Sequence, residues 1–133
     1  MKRSTMSTQA QSISSAYLAR GTIGNVVMPG APIVHFALVV TPADHKVSGR
    51  VVITQATGNG DYSGQVEGAI HATGLGAVTQ VVSLTGMIYG DGTMPIELSF
   101  EANLAINHDW TGQGGFSYGS VHVDQVPVEK LAQ

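Results

Sequence analysis

The chain has 133 residues, 43% of them apolar and 11% charged, against a typical charged fraction of about 25%, which fits one globular domain and excludes a highly charged disordered chain. Its formal charge is −3, and Lys2-Arg3 is the longest basic run, so the basic footprint of a nucleic-acid-binding protein is missing. Without cysteine, the chain has no disulfide, thiolate nucleophile or thiolate metal site.

The first 15 residues are rich in Ser, Thr and Gln, which predicts a flexible polar tail before a single β-domain at residues 16–133. This terminus lacks the apolar stretch of about 7–15 residues that a signal peptide needs. Nor does the chain contain the run of about 18 apolar residues that a membrane span needs. We therefore expect a soluble cytoplasmic protein without a membrane span, and non-classical export stays open.

A two-residue alternation of apolar and polar side chains predicts strands along the rest of the chain. The predicted strands are residues 16–27, 32–41, 46–57, 61–72, 77–89, 95–107 and 116–124. The clearest is 95–107, because a helix there would scatter its apolar residues and place Glu97 against Glu101. Proline and glycine turns separate the strands. These features predict an all-β, antiparallel up-and-down meander of about seven or eight strands, forming a barrel or a sandwich.

The alternation also assigns faces to the strands. Residues Val34 and Leu38 are predicted to point inward and His35 outward. Gly64 and Gly68 share the inner face of their strand, where they leave room for sharp coiling or for a bulky neighbour. The full predicted core consists of Val34, Phe36, Leu38, Val51, Ile53, Ile96, Leu98, Phe100, Leu104 and Ile106.

Four segments resemble a known family. Residues 29–35, 46–57, 84–86 and 109–112 are similar to a bacterial family of short proteins, the domain of unknown function 1842, over about residues 20–120. The stretch from Val47 to Ala56 is the most distinctive of them. This resemblance implies a small bacterial β-domain and brings no catalytic residue with it.

Histidines beside carboxylates suggest a metal site. His108 precedes Asp109, and His122 and Asp124 lie two residues apart, so they share one face of a strand. Zinc sites need three or four ligands, however, and nothing in the spacing adds His35 to these pairs. We therefore predict hydrogen-bonded strand histidines, with no metal ion and no cofactor.

No motif in the sequence identifies a catalytic residue. A nucleophilic serine needs a base within hydrogen-bond reach and an oxyanion hole, and the spacing of the residues places neither. The carboxylates include Glu97 and Glu101, but a sequence does not give the separation that glycoside hydrolysis requires. Enzymatic activity is left open, with no catalytic residue to nominate.

The aromatic residues near the end of the chain are the best candidates for a ligand site. Trp110, Phe116 and Tyr118 lie close to His108 and Asp109 around a glycine-rich turn. Such rings can stack on a sugar or another flat ligand. The alternative is that the rings close the end of the core, so the exposure of Trp110 distinguishes the two interpretations.

Two functions follow from these observations. One is a non-catalytic module that binds a small molecule or glycan at Trp110, Phe116, Tyr118, His108 and Asp109. The other is a structural or interaction domain that forms a homo-oligomer through its strands, because surfaces with little charge associate readily. A hollow interior favours the first function, and a filled core with an exposed apolar patch favours the second.

Overall fold

Eight antiparallel strands form a closed barrel in chain order, with β8 pairing back onto β1. The computed structural model describes residues 16–55, 61–74, 76, 78–91 and 96–131. The strands are β1 Tyr17–Ile23, β2 Ile33–Thr41, β3 Lys46–Thr54, β4 Tyr62–Ala72, β5 Gln80–Gly90, β6 Glu97–Ile106, β7 Gly112–Tyr118 and β8 Val121–Lys130. The predicted all-β meander is confirmed, and it closes as a barrel. The tail predicted at residues 1–15 lies outside the described residues.

Helical structure is confined to one short turn in the described ranges. The 3-10 turn Pro42–Asp44 joins β2 to β3, and His45 ends it in the left-handed conformation with φ of 55°. No helix in this part of the chain has the length and apolar character needed to cross a membrane.

Alternating side chains on each strand explain the closed sheet. On β2, Val34, Phe36, Leu38 and Val40 are buried, whereas His35 and the other outward residues are exposed. The same alternation buries Phe100 and Leu104 on β6. Burial of each such side chain contributes about 1.5–3 kcal/mol, so the inner face of the sheet drives closure.

Apolar side chains fill the interior of the barrel. The largest fully buried ones are Phe100, Ile23, Leu38, Ile53, Leu84, Ile88, Ile106, Val34, Val40, Val47, Val51 and Val128. The predicted core residues are buried, except that Ile96 and Leu98 are only partly buried against the rest. Among the described residues, no polar or charged residue belongs to the buried set.

The last predicted strand is wrong. Residues 116–124 were expected to form one strand, but Tyr118 ends β7 and Val121 begins β8. Gly119 lies between them with φ of 56°, a conformation that favours glycine and turns the chain. β8 then continues through Pro127 to Lys130, beyond the predicted limit, as the strand that closes the barrel on β1.

The connections define two ends of the barrel. At the first end lie the start of β1, the turn at Pro42–Asp44 and the loop 107–111. At the second end lie the loop 24–32, Gln55 and the β7–β8 turn. We use "first end" and "second end" in this sense below.

Candidate functional site

Trp110 closes the first end of the barrel. Its ring is only 3% exposed and packs against Phe36, with the ring centroids 5.7 Å apart. The indole Nε1–H donates to the Tyr17 hydroxyl at 3.1 Å. Trp110 therefore closes the core at this end, and the faces of its indole ring are covered.

The loop before β7 explains how Trp110 is turned inward. Asn107 Oδ1 accepts hydrogen bonds from the backbone N–H groups of Asp109 and Thr111, at 2.8 and 3.1 Å. Trp110 has φ of 59°, which is uncommon for a residue with a large side chain. His108 and Asp109 form the exposed outer side of this loop.

Phe116 and Tyr118 are also buried, and they lie on the inner face of β7. Their rings stack at 6.1 Å, and Tyr118 contacts Tyr62 with a centroid distance of 5.7 Å. The Tyr118 hydroxyl donates to Gln55 Oε1 at 3.1 Å. Burial, and next to it the neighbouring Tyr62, raises the pKa of Tyr118 above its ordinary value.

The five residues of the predicted ligand site are thus divided between two places. Trp110, His108 and Asp109 are at the first end, whereas Phe116 and Tyr118 are in the later half of β7, with Tyr118 at the second end. The seven residues of β7 separate these ends by roughly 20 Å at about 3.3 Å per residue. Ligand binding at these residues stays a prediction, and the fold separates them rather than bringing them together.

The histidine–carboxylate pairs are likewise apart. His122 Nε2 lies 2.8 Å from Asp124 Oδ2, and both side chains are 67% exposed. This pair is at the second end, while His108 and Asp109 are at the first. Across the described part of the chain, no group of three or more His, Asp or Glu side chains is placed to hold a metal ion.

A groove lies on the outside of the barrel across β3, β4 and β5. It has a volume of about 890 Å³ and is open to solvent. Its polar lining consists of Ser48, Arg50, Ser63, Gln65, Glu67 and Thr85. Met87 and Tyr89 on β5 complete it, and Ala37 on β2 forms its edge. We call this feature the outer groove.

Glycines on the inner face shape the wall behind the outer groove. Val66 has Gly64 and Gly68 as its same-face neighbours along β4, and Gly49 and Gly86 opposite it on β3 and β5. A Cβ on Gly64 would lie 2.0 Å from the carbonyl oxygen of Met87. β4 and β5 therefore lie closer together here than a residue with a Cβ atom would allow. The sheet can bend sharply at this point, beneath the outward side chains.

The polar groups of the outer groove are available to a ligand. Arg50 Nη2 donates to Ser63 Oγ at 3.3 Å, which places the guanidinium along the groove wall. Tyr89 is 50% exposed, so its ring has an open face. Hydroxyl, amide and charged groups beside an accessible ring are the set with which proteins bind hydroxyl-rich ligands.

Sequence reasoning missed the outer groove. Its lining residues alternate with apolar ones, so each strand alone resembles an ordinary solvated face. The available signal was glycine at inward positions of neighbouring strands, Gly49, Gly64 and Gly86. That signal needs the register of three strands, and the sequence does not provide the register.

A smaller groove lies further around the barrel, on the outer face of β4 to β7. Its volume is about 410 Å³, and its lining includes Ala69, His71, Val81, Ser83, Ala105 and Gln125. At its rim, His71 stacks on His45 with ring centroids 5.3 Å apart. Asn103 and Gln113 add amide groups to it, but its lining contains no arginine or carboxylate among the described residues, whereas the outer groove has Arg50 and Glu67.

Comparison with known proteins assigns no activity. The family model described as Domain of unknown function (DUF1842) matches residues 14–122, which cover most of the barrel. No curated protein matches the chain.

Proposed function

The chain belongs to the DUF1842 family, and we propose that it is a non-catalytic binding module that holds a short glycan chain in the outer groove. The family description carries no activity, so the proposal rests on the barrel itself. It keeps the class of function predicted from the sequence and moves the site from Trp110 to β3, β4 and β5.

The observation that carries the proposal is the shape of the outer groove. Its volume of about 890 Å³ falls within the range of about 300–1,000 Å³ for ligand pockets. The barrel interior is filled by apolar side chains, so the hollow interior that would favour a binding module is not observed in the described part of the chain and the proposal rests on the outer surface alone. An open groove that crosses three strands suits an extended ligand, because a chain of sugars can lie along it while one side stays in water.

The lining supports a sugar rather than an apolar ligand. Ser48, Ser63, Gln65 and Thr85 offer hydroxyl and amide groups on the outer surface. Each can donate and accept hydrogen bonds, as sugar hydroxyls do. The half-exposed ring of Tyr89 adds an apolar face on which a pyranose can stack.

Oligosaccharide binding by isothermal titration calorimetry tests the proposal. A panel of hexasaccharides, neutral, uronic-acid-containing and sulfated, is titrated into the full chain. We expect at least one to bind, and we expect Tyr89→Ala to weaken that binding about tenfold or more through loss of the stacking face. No binding by any member of the panel would overturn the proposal.

Val81→Ala is the matched control for Tyr89→Ala. Val81 is also on β5 and is 40% exposed, but it lies in the smaller groove. We expect it to leave the affinity unchanged. Equal loss of affinity in both variants would remove the outer groove as the site.

A second candidate function, self-association, is favoured by an apolar pair on the barrel exterior. Leu18 and Val39 are partners across β1 and β2, with exposures of 60% and 44%. Contact between two copies would cover both side chains. Sedimentation equilibrium tests this candidate, since a dimer that Leu18→Ser converts to a monomer would support it and a monomeric parent would reject it.

A further inference from the structure

Two arginines flank the edge of the outer groove. Across the strands, Ala37 on β2 pairs with Arg20 on β1 and with Arg50 on β3. All three side chains are on the outer face of the barrel, and both arginines are exposed. Two strand spacings of about 4.8 Å separate the arginine backbones, and the short Ala37 side chain leaves the space between them open.

Within the described part of the chain, neither arginine forms an ion pair with a carboxylate. His122 and Asp124 are the one ion pair found among the described residues. Arg50 donates to Ser63, and Glu67 lies beyond Ser63 and Gln65 on β4, so the guanidinium points away from that carboxylate. Unpaired guanidinium groups beside a binding groove favour an anionic ligand.

Charge is distributed unevenly around the groove. The basic side is formed by Arg20 on β1 and Arg50 on β3, and beyond Arg20 the exposed Glu129 on β8 pairs with Thr22. The acidic side is formed by Glu67 on β4 and by Glu101, which pairs with Thr85 of the groove. A ligand with an anionic group would therefore bind in one orientation, with that group over Ala37 on β2, between the two arginines.

We propose that the ligand of the outer groove is an acidic glycan, whose carboxylate or sulfate group binds between Arg50 and Arg20. This inference rests on the proposed glycan-binding function and names the class of sugar. The planar guanidinium fork donates paired hydrogen bonds to either anion. The remaining hydroxyl groups of the sugar chain would contact Ser63, Gln65 and Thr85.

Matched probes separate the acidic glycan from the neutral one. Hexagalacturonate is compared with its fully methyl-esterified form, which keeps the sugar backbone and removes the charges. A sulfated heparin hexasaccharide and neutral cellohexaose complete the set. We expect an acidic probe to bind at least tenfold more tightly than the neutral probes, since charge-assisted hydrogen bonds are the stronger ones. The preferred anion identifies the group as carboxylate or sulfate.

Arginine variants test the position of the anion. Arg50→Gln and Arg20→Gln should each weaken acidic-probe binding about tenfold, and this loss should exceed any loss of neutral-probe binding. Lys46→Gln is the control, because it removes the same charge from β3 outside the groove. Thermal unfolding verifies that each variant folds.

The outcomes distinguish the inference from the function on which it rests. Equal or tighter binding of neutral probes would overturn the acidic ligand and keep the glycan site. Equal losses in Lys46→Gln and Arg50→Gln would also overturn it, as a general charge effect. No binding by any probe would overturn both proposals.

Discussion

The indole Nε1–H of Trp110 donates a hydrogen bond of 3.1 Å to the hydroxyl of Tyr17, 93 positions earlier in the chain. The bond joins the first strand to the loop before β7 and fixes the tryptophan over the core. Trp110 thus has both an apolar partner in Phe36 and a partner for its single polar group.

Loss of Trp110 should therefore destabilise the barrel. Trp110→Ala is expected to lower the free energy of unfolding by about 3–5 kcal/mol, as for other buried aromatic truncations. Tyr17→Phe, which removes only the hydrogen-bonding hydroxyl, should cost about 1 kcal/mol. Urea denaturation measures both. A loss below about 1 kcal/mol for Trp110→Ala would mean that the indole does not close the core.

Fluorescence examines the same residue in the native protein. Trp110 is the single tryptophan of the chain, so the emission spectrum reports on it alone. Its burial predicts blue-shifted emission that resists quenching by iodide. Red-shifted, readily quenched emission would restore the stacking platform predicted from the sequence.

The inner face of β6 is tested at Phe100. This residue is buried on β6, at a position predicted from the alternation of residues 95–107. Phe100→Ala should cost about 3–5 kcal/mol, a large part of a total stability of about 5–15 kcal/mol. The exposed neighbour Glu101→Ala is the control and should change the stability little. Similar losses in both would contradict the face assignment of β6.

Glycine at the wall of the outer groove is tested by adding one methyl group. A Cβ on Gly64 would lie 2.0 Å from the Met87 carbonyl oxygen, so Gly64→Ala should cost about 1–3 kcal/mol or more. At Gly90, the last residue of β5, the same atom would make ordinary contacts at 3.4 Å and beyond. Gly90→Ala is therefore the matched control. Thermal denaturation that shows equal stability for both variants would contradict the close approach of β4 and β5.

Raised pH should weaken the fold through Tyr118. Because burial and the neighbouring Tyr62 raise the pKa of Tyr118 in the folded protein, the unfolded chain loses this proton first. Below about pH 10 both states keep the proton, and the contribution is fully present. As pH rises further, the unfolded state binds fewer protons, so the free energy of unfolding falls until the raised pKa is passed.

Urea denaturation at pH 8, 10 and 11 measures this dependence. Tyr118→Phe should make the decline above pH 10 shallower, although it loses the hydrogen bond to Gln55 at every pH. The exposed Tyr89→Phe is the control and should keep the decline of the parent protein. An unchanged decline in Tyr118→Phe would show that another group is responsible.

Strands and faces were predictable where the local pattern was strong. The alternation on β2 and β6 reflects the pleat of a single strand, so Phe36 and Phe100 were placed correctly in the core. The β7–β8 turn was missed although the apolar positions change parity across Gly119, from Phe116 and Tyr118 to Val121 and Val123. Neither closure nor register follows from one strand, so barrel and sandwich stayed equivalent.

The candidate site was harder to predict than the fold. Trp110 and Tyr118 were predicted to lie together because they are close in sequence. An extended strand advances about 3.3 Å per residue, however, so β7 carries Tyr118 away from Trp110. The outer groove depends on which residues of β3, β4 and β5 lie side by side. Pairs such as Arg50 with Gln65, and Gln65 with Met87, are fixed by long-range strand pairing that no local pattern contains.

Placement of the ligand site in the outer groove is tested most directly by NMR titration of the ¹⁵N-labelled chain with the tightest-binding hexasaccharide of the panel. The expected result is chemical-shift change concentrated at Arg50, Gln65 and Met87, with the Trp110 indole signal unmoved. Shift changes centred on Trp110, His108 and Asp109, with the groove unaffected, would contradict the outer-groove site and return the ligand to the first end of the barrel.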